Sequence, residues 1–407
     1  MSPPAAPHHL TPAERRASGS LALIFALRML GLFLVLPVFA LEARHYAGGD
    51  DPAMVGLALG LYGLTQAVFQ LPLGIASDRF GRKKVIVLGL LVFAVGSLVA
   101  ALADSLLGLM WGRALQGAGA VSAAVTALLA DLTRESVRTK AMAMVGGSIA
   151  LMFSVALVLS PLLAAWAGLP GIFGLTLALT LAALAAIVWV VPPEPAQRSD
   201  LPRGRFADLL QHGDLLRLNA GVFVLHTVQM AMWVAVPTLL VQAGLVKAAH
   251  WQVYLPTVLL SFVALGGLFR LERKGQLRAA LLLCIVLILL VQLGLGALTW
   301  LGDTPTLWPL ALGLLVFFIG FNMLEATQPS LISRMAPDSL RGAALGAYNT
   351  LQSLGLFAGG AVGGLLARHG SLTGVFVATS VLCVLWLLLT WPLQPVGRTV
   401  AKPATAH

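Results

Sequence analysis

Apolar residues run along this chain in stretches of about 20, each ended by a short polar or charged interruption. A helix rises 1.5 Å per residue, so about 20 residues cross a hydrocarbon layer of roughly 30 Å. The pattern predicts twelve such spans, at residues 20–41, 54–75, 84–103, 107–130, 140–166, 171–191, 217–241, 251–269, 277–299, 307–329, 342–367 and 371–391. The longest polar interruption, PPEPAQRSDLPRGRFADLLQHGDLL at 192–216, is rich in proline and charge and divides the spans six and six. The predicted organisation is therefore a tail at 1–19, a six-helix bundle at 20–191, a linker at 192–216, a second bundle at 217–392 and a tail at 393–407. The two halves also echo each other. ADLTRESVRTKAMAMVGGSIAL after the fourth span is similar to SLISRMAPDSLRGAALGAYNTL after the tenth, some 200 residues later, as parallel repeats would be.

Composition agrees with a bilayer environment: 58% of the 407 residues are hydrophobic and 10% charged, against roughly 25% charged in soluble proteins. The mean hydropathy is +0.91. A net charge of +10 would suit nucleic acid, but the placement of the basic residues excludes it. With both termini cytoplasmic, 21 Lys and Arg fall in cytoplasmic segments; Arg44, Lys247 and Arg368 lie outside, and Arg28 and Arg113 within spans. That asymmetry sets the orientation in the membrane. Arg15 and Arg16 precede a span of full length, so the N-terminus is expected to be no cleaved signal peptide. His8 and His9 are expected to be a solvated pair, and Cys284 and Cys383, inside apolar spans, indicate neither disulfides nor a metal cluster.

Residues 74–84, GIASDRFGRKK, join the second and third spans. Gly74, Asp78, Arg79, Gly81, Arg82 and Lys83 fall in register with G-x-x-x-D-R-x-G-R-[RK], and the loop resembles that between helices 2 and 3 of the major facilitator superfamily. The polarity of the spans fits the same family. Spans 3, 6, 9 and 12 contain no strongly polar interior residue except Gln292, whereas the others, span 5 with serines only, carry polar groups that must face a partner or water. In that superfamily every third helix is peripheral. LRMLGLFLVLPVFAL, LYGLTQAVFQLPLGIASDRFGRK, GRALQGAGAVSAAVTALLADLTRESVRTKAMA and FNMLEATQPSLISR resemble the YajR type of exporter within it. That type carries a soluble C-terminal domain, which this chain, with about fifteen residues after its last span, is expected to lack. The resemblance implies an all-α membrane protein of twelve transmembrane helices in two pseudo-symmetric six-helix bundles. It also implies alternating access with a small-molecule substrate and protons as partners, no nucleic acid, no cofactor, and a monomer in the lipid bilayer. Asp78 is then expected near the start of helix 11, around Gly342, and Arg82 near Asp131, as a conformational gate.

A charge at the bilayer centre costs about 2.5–3.5 kcal/mol on insertion scales, so the three deep ones call for explanation. Glu325 is the only deep carboxylate, with Asn322 and Gln328 three residues to either side, a stripe expected to face the cavity. Arg113, in RALQGAGA, resembles the superfamily's helix 4 motif associated with proton coupling, and is expected to pair with Glu325 from the opposite half. Gly117 and Gly119 beside it would admit a close neighbour. Arg28 stands in helix 1 where many drug–proton antiporters carry an acid. His226, Gln229, Met230 and Trp233 share one face of helix 7, and His226 is a further proton-coupling candidate. Tyr62, Gln66 and Gln70 on helix 2, Gln116 on helix 4, and Tyr348, Asn349 and Gln352 on helix 11 complete the expected substrate cavity.

The helix 5 antiporter motif is poorly kept: Pro161 is present, but Ser160, Leu163 and Ala164 stand where glycines belong. Export therefore rests on the overall likeness. Three other readings stand beside it. A membrane enzyme lacks HExxH, GxSxG or a phosphate-cradling loop. A non-coupled channel or receptor would share the fold. A Cu(I) importer would use His226, Met230 and Met232, with Met142 and Met144 repeating the pattern, since thioether and imidazole suit Cu(I).

Overall fold

A bilayer offers no hydrogen bonds to the backbone, so the chain must satisfy its own, and continuous helices do so. In the computed structural model, residues 10–194, 206–274, 276–302, 305–337, 340–369 and 372–393 are described, and no strand occurs among them. The expected features at His8 and His9, in most of the linker and after Leu393 lie outside the described residues. Span 1 comprises α1 (Pro12–Phe33) and the short α2 (Phe39–Glu42). Spans 2 and 3 are α3 (Pro52–Phe80) and α4 (Arg82–Ala101). Span 4 is α5 (Leu106–Ala118) followed by α6 (Ser122–Asp131), and spans 5 and 6 lie in α7 (Glu135–Trp189). Spans 7 to 12 are α8 (Gly213–Gln242), α9 (Trp251–Arg273), α10 (Leu277–Trp300), α11 (Leu307–Met335), α12 (Arg341–Arg368) and α13 (Leu372–Thr390).

Eleven of these helical stretches are long and apolar enough to cross a membrane, and α7 accounts for two crossings. Gly168 breaks it with φ 60° and ψ −161°, a conformation that favours glycine. Both arms of α7 lie along span 1. Ser148 and Ser160 donate to the carbonyls of Ala22 and Leu34, whereas Thr176, beyond the break, donates to Gly31. The first arm runs parallel to span 1 and the second returns along it. The sequence predicts a loop at 167–170; the structure makes it a kink at Gly168. Span 1 also departs from 20–41. It begins at Pro12 behind a capping box, with Thr11 accepting from Glu14 and Glu14 from Thr11, and leaves the helix after Phe33.

Exposed tryptophans stand near span ends, among them Trp166, Trp300 and Trp308 at one end and Trp189 and Trp391 at the other. They match the aromatic belts of a membrane protein. The end carrying residues 74–84 is called the loop end below, and the opposite one the far end. One buried cluster includes residues of both halves, among them Leu36, Phe39 and Phe153 with Trp233, Leu240 and Phe318. A second, with Leu21, Ile86, Val125, Leu128 and Ile187, draws only on the loop-end part of the first half.

Glycines close the far end. A Cβ at Gly56 would sit 2.2 Å from the Gly360 carbonyl oxygen, one at Gly60 2.7 Å from that of Phe357, and one at Gly63 2.4 Å from that of Ser353. Spans 2 and 11 thus touch backbone to backbone, as small residues permit in membranes. A second row on span 11 faces span 7: Cβ atoms at Gly355 and Gly359 would lie 2.4 and 2.3 Å from the carbonyl oxygens of Phe223 and Thr227. Two ion pairs join the halves at the same end, Lys247 with Glu42 and Arg368 with Asp51, the latter at 3.3 Å. Toward the loop end the two spans part around an open cleft of about 430 Å³ between Ala67, Val68, Leu71 and Pro72 of span 2 and Ala347, Thr350 and Leu351 of span 11.

Overpacking a close contact costs about 1–3 kcal/mol. Gly56→Val should therefore force the seam apart, so that spin labels at residues 54 and 365 report a longer separation than in the parent chain. An unchanged separation would show that the seam does not hold the far end shut.

Candidate functional site

The deep carboxylate meets a histidine and an amide. Glu325 on span 10 places Oε2 3.4 Å from His226 Nε2 on span 7, and Gln352 on span 11 brings its Nε2 2.8 Å from His226 Nε2 and 3.1 Å from Glu325 Oε1. On its other side His226 Nδ1 lies 3.0 Å from the carbonyl oxygen of Val222. A carbonyl only accepts, so Nδ1 carries the hydrogen and Nε2 presents its lone pair. The two hydrogens of the Gln352 amide then serve two acceptors, the imidazole lone pair and the carboxylate. His226 is buried, while the Glu325 side chain is 39% accessible. Tyr348, buried with an unpartnered hydroxyl, interacts electrostatically with Glu325.

This arrangement corrects two expectations. Arg113 does not reach Glu325. Its guanidinium donates to Gln116 Oε1 at 2.9 Å, faces the Leu59 carbonyl oxygen at 3.5 Å and lies over the Tyr62 ring at 4.8 Å. Arg28 donates to the Tyr62 hydroxyl at 3.0 Å and to Ser122 at 3.2 Å, and lies over Phe93. The two deep arginines of the first half are thus gathered around Tyr62, with Gln116 passing the chain on to Ser97. The span 10 stripe also divides. Asn322 donates to Ser261 on span 8 at 2.8 Å, and buried Gln328 lines a small cavity with Gly221 and Trp386. Steps of three residues turn a helix by 300°, so residues three apart drift around it and face different neighbours over two steps.

The copper donors do not converge. His226 engages Glu325 and Gln352, whereas Met232, six residues on and so on another side of span 7, accepts from Gln292 of span 9 at 3.2 Å. Met230 packs against span 11, where a Cβ at Gly359 would lie 2.8 Å from its own Cβ. Met142 packs in the first-half cluster while Met144 is exposed. No group of three metal-ligating His, Cys, Asp or Glu residues occurs among the described residues. Gln292, the amide singled out in peripheral span 9, is buried and partnered by Met232 and by Thr379.

At the loop end Arg82 makes ion pairs with Asp78 and with Asp131, the latter at 3.1 Å, and donates to Ser77. Gly81 starts span 3 with φ 109°, a value that favours glycine. A Cβ at Gly74 would lie 3.6 Å from Ala123 of span 4, and Arg79 is exposed. The sequence did not single out Glu194, whose carboxylate accepts from the backbone N–H groups of Arg82 (3.0 Å) and Lys83 at the first turn of span 3, while Lys83 Nζ reaches the Val191 carbonyl.

The remaining expected cavity residues are spread along the interior. Gln70 is buried with neither amide atom bonded, and Gln66 Oε1 is also unpartnered. Gln229 is buried, and Asn349 is half-buried one residue from Tyr348. Trp233 meets Tyr254 edge-on at 5.6 Å and Phe153 of span 5 at 6.5 Å; Phe153 also meets Phe33 and Phe318. This aromatic contact across the halves went unread, because phenylalanine is ordinary packing material in any span.

Twelve apolar crossings, a glycine seam between spans 2 and 11 and the ion pairs of Arg82 with Asp78 and Asp131 belong to a carrier of two helical bundles. Residues 21–360 match the model of the Major Facilitator Superfamily, and the chain belongs to that family. It is a multi-pass membrane transporter and not an enzyme. It is 43% identical to the inner membrane transport protein YajR of Escherichia coli (strain K12) across 93% of this chain and 84% of that protein. It is 28% identical to the multidrug resistance protein MdtH of Aeromonas salmonicida (strain A449), over 89% and 90% of the two chains. Among solved structures, a bacterial homolog of the human lysosomal transporter Spinster, inward-facing and occupied, shares the fold with a TM-score of 0.75 at 14% identity, covering 94% of this chain and 97% of that one.

The site geometry fixes which pairs are coupled. In double-mutant cycles of thermal stability, Glu325→Gln with His226→Gln should show a coupling of about 0.5–3 kcal/mol, whereas Glu325→Gln with Arg113→Gln, which share no partner, should add within about 0.5 kcal/mol. The reverse ranking would restore the Arg113–Glu325 pair.

Proposed function

We propose that this transporter is a proton-coupled exporter of small amphipathic, drug-like molecules, working as a monomer in a bacterial inner membrane with both termini in the cytoplasm. One observation carries the reading. The single deep carboxylate among the described residues lies against an imidazole whose free lone pair faces it, at 3.4 Å. A proton added between Oε2 and Nε2 has two bases to share it, and such a site binds and releases protons where a carboxylate locked to an arginine would not. The excess of basic residues on the loop side supports a cytoplasmic loop end, so the form described here is open to the cytoplasm. Similarity to a multidrug resistance protein supports export and substrates of mixed polarity.

In this reading Glu325 and His226 carry the proton, and Arg113 with Arg28, Tyr62 and Gln116 holds the first bundle rigid. Gln66, Gln70, Gln229, Met230, Trp233, Asn322, Tyr348 and Asn349 face the substrate. Gly74, Asp78, Arg79, Gly81, Arg82, Lys83 and Asp131 form the cytoplasmic gate. When the bundles rock, Asp78 meets the start of span 11, where a helix N-terminus favours an anion by about 0.3–1 kcal/mol. Asp78→Asn should then slow transport and raise the labelling of cytoplasmic-side cysteines without preventing folding; unchanged labelling and transport would remove the latch.

Proteoliposomes loaded with a pH-sensitive dye provide the main test. Against a panel of tetracycline, ethidium and other amphipathic compounds, at least one should release protons inward in exchange for its own movement. Glu325→Gln, which mimics the protonated carboxyl, should abolish uphill accumulation while leaving expression and downhill exchange. Accumulation with wild-type pH dependence in Glu325→Gln would make the residue structural.

A further inference from the structure

We propose that Gln352 is the positioning residue that passes the protonation state of Glu325 and His226 to the far-end seam. The inference rests on the reading of that pair as the proton site. His226 Nε2 has one lone pair, and the Gln352 amide already donates to it at 2.8 Å. A proton shared between Glu325 Oε2 and His226 Nε2, 3.4 Å apart, needs that same lone pair. Proton and Gln352 therefore exclude each other at Nε2, and the arrangement described here is the proton-free one. Protonation leaves that Gln352 N–H without its acceptor at a half-buried position, where its present geometry is no longer favoured. The amide must swing away, or span 11 must shift.

Span 11 can pass that shift on because it is gripped on both sides. Gly355, three residues past Gln352, packs on Phe223 and His226 of span 7, while Gly360 and Gly364 pack on Gly56 and Gly60 of span 2. Contacts this close have no slack, so a displacement near Gln352 is felt at the seam one to three turns away. The titratable and charged groups around the pair leave the switch to these three residues. Tyr348 of span 11 lies near Glu325, while the buried Tyr254 of span 8 meets Trp233 and His250 instead, and Cys383 of span 12 is buried. Arg28 and Arg113 are engaged around Tyr62 in the other half.

The experiment uses the full chain in lipid nanodiscs, with spin labels at residues 54 and 365, compared at about pH 8 and about pH 5, the interval in which histidine titrates. Infrared difference spectra report the Glu325 carboxyl band, assigned by its loss in Glu325→Gln. The parent chain should show the band and a longer label separation at the lower pH. In Gln352→Met, and in Gln352→Ala should the first fold poorly, the band should still appear on acidification but the separation should no longer follow pH. A separation that follows pH in both variants as in the parent, with the band present, would overturn the role of Gln352 and leave the proton site standing. Absence of the band in the parent would overturn the proton site and with it this inference.

Discussion

The close packing of span 11 is the constraint on which the rest of the structure depends. One row of its glycines lies against span 7 of its own half and another against span 2 of the opposite half, in each case with carbonyl oxygens where a Cβ would stand. Such contacts are bistable: they are made in full or lost, because no side chain is present to deform. They set the far end shut, and the ion pairs of Glu42 with Lys247 and Asp51 with Arg368 reinforce the same closure. The Asp51–Arg368 pair is largely exposed and contributes little, about 0–1 kcal/mol, whereas Glu42 is buried beneath Lys247 and joins the seam and the aromatic contact of Phe153 with Trp233 and Phe318 in holding that end.

Charge is distributed unevenly between the halves. The first keeps two guanidinium groups around a tyrosine, held by hydroxyl, amide and carbonyl oxygens and by ring faces but each with its Nε unpartnered, and no deep acid occurs among its described residues. The second keeps the only deep carboxylate, with a histidine and an amide as partners. The arginines are held apart from the acid, and the Val222 carbonyl, accepting from His226 Nδ1, leaves Nε2 turned toward Glu325.

Much of the fold was legible from the spacing of apolar stretches, because a bilayer imposes helix length directly. Boundaries were less so: the capping box at Thr11 is polar and invisible to hydropathy, and Gly168 bends α7 where a loop was expected. The site was legible in composition but not in pairing. Glu325, His226 and Gln352 each stood out as polar groups in apolar spans, yet their meeting joins spans 7, 10 and 11 across up to 126 residues, which no local pattern encodes. Arg113 and Glu325 attracted each other on paper because opposite charges should pair; the sequence could not show that Gln116 and the Tyr62 ring lie nearer. Nothing local in the sequence names partners for Glu42, Asp51 and Glu194; the fold supplies Lys247, Arg368 and the first turn of span 3.

In the proposed mechanism His226 presents a bare Nε2 to Glu325 and accepts a hydrogen bond from the carboxyl once it is protonated. Nitrogen-15 NMR of histidine-labelled protein in bilayers reads this directly, with the His226 signal assigned by its loss in His226→Gln. A neutral ring protonated at Nδ1 is expected under alkaline conditions, with the Nε2 resonance moving on acidification as it accepts from the Glu325 carboxyl. A ring protonated at Nε2, or one unchanged on acidification, would contradict it.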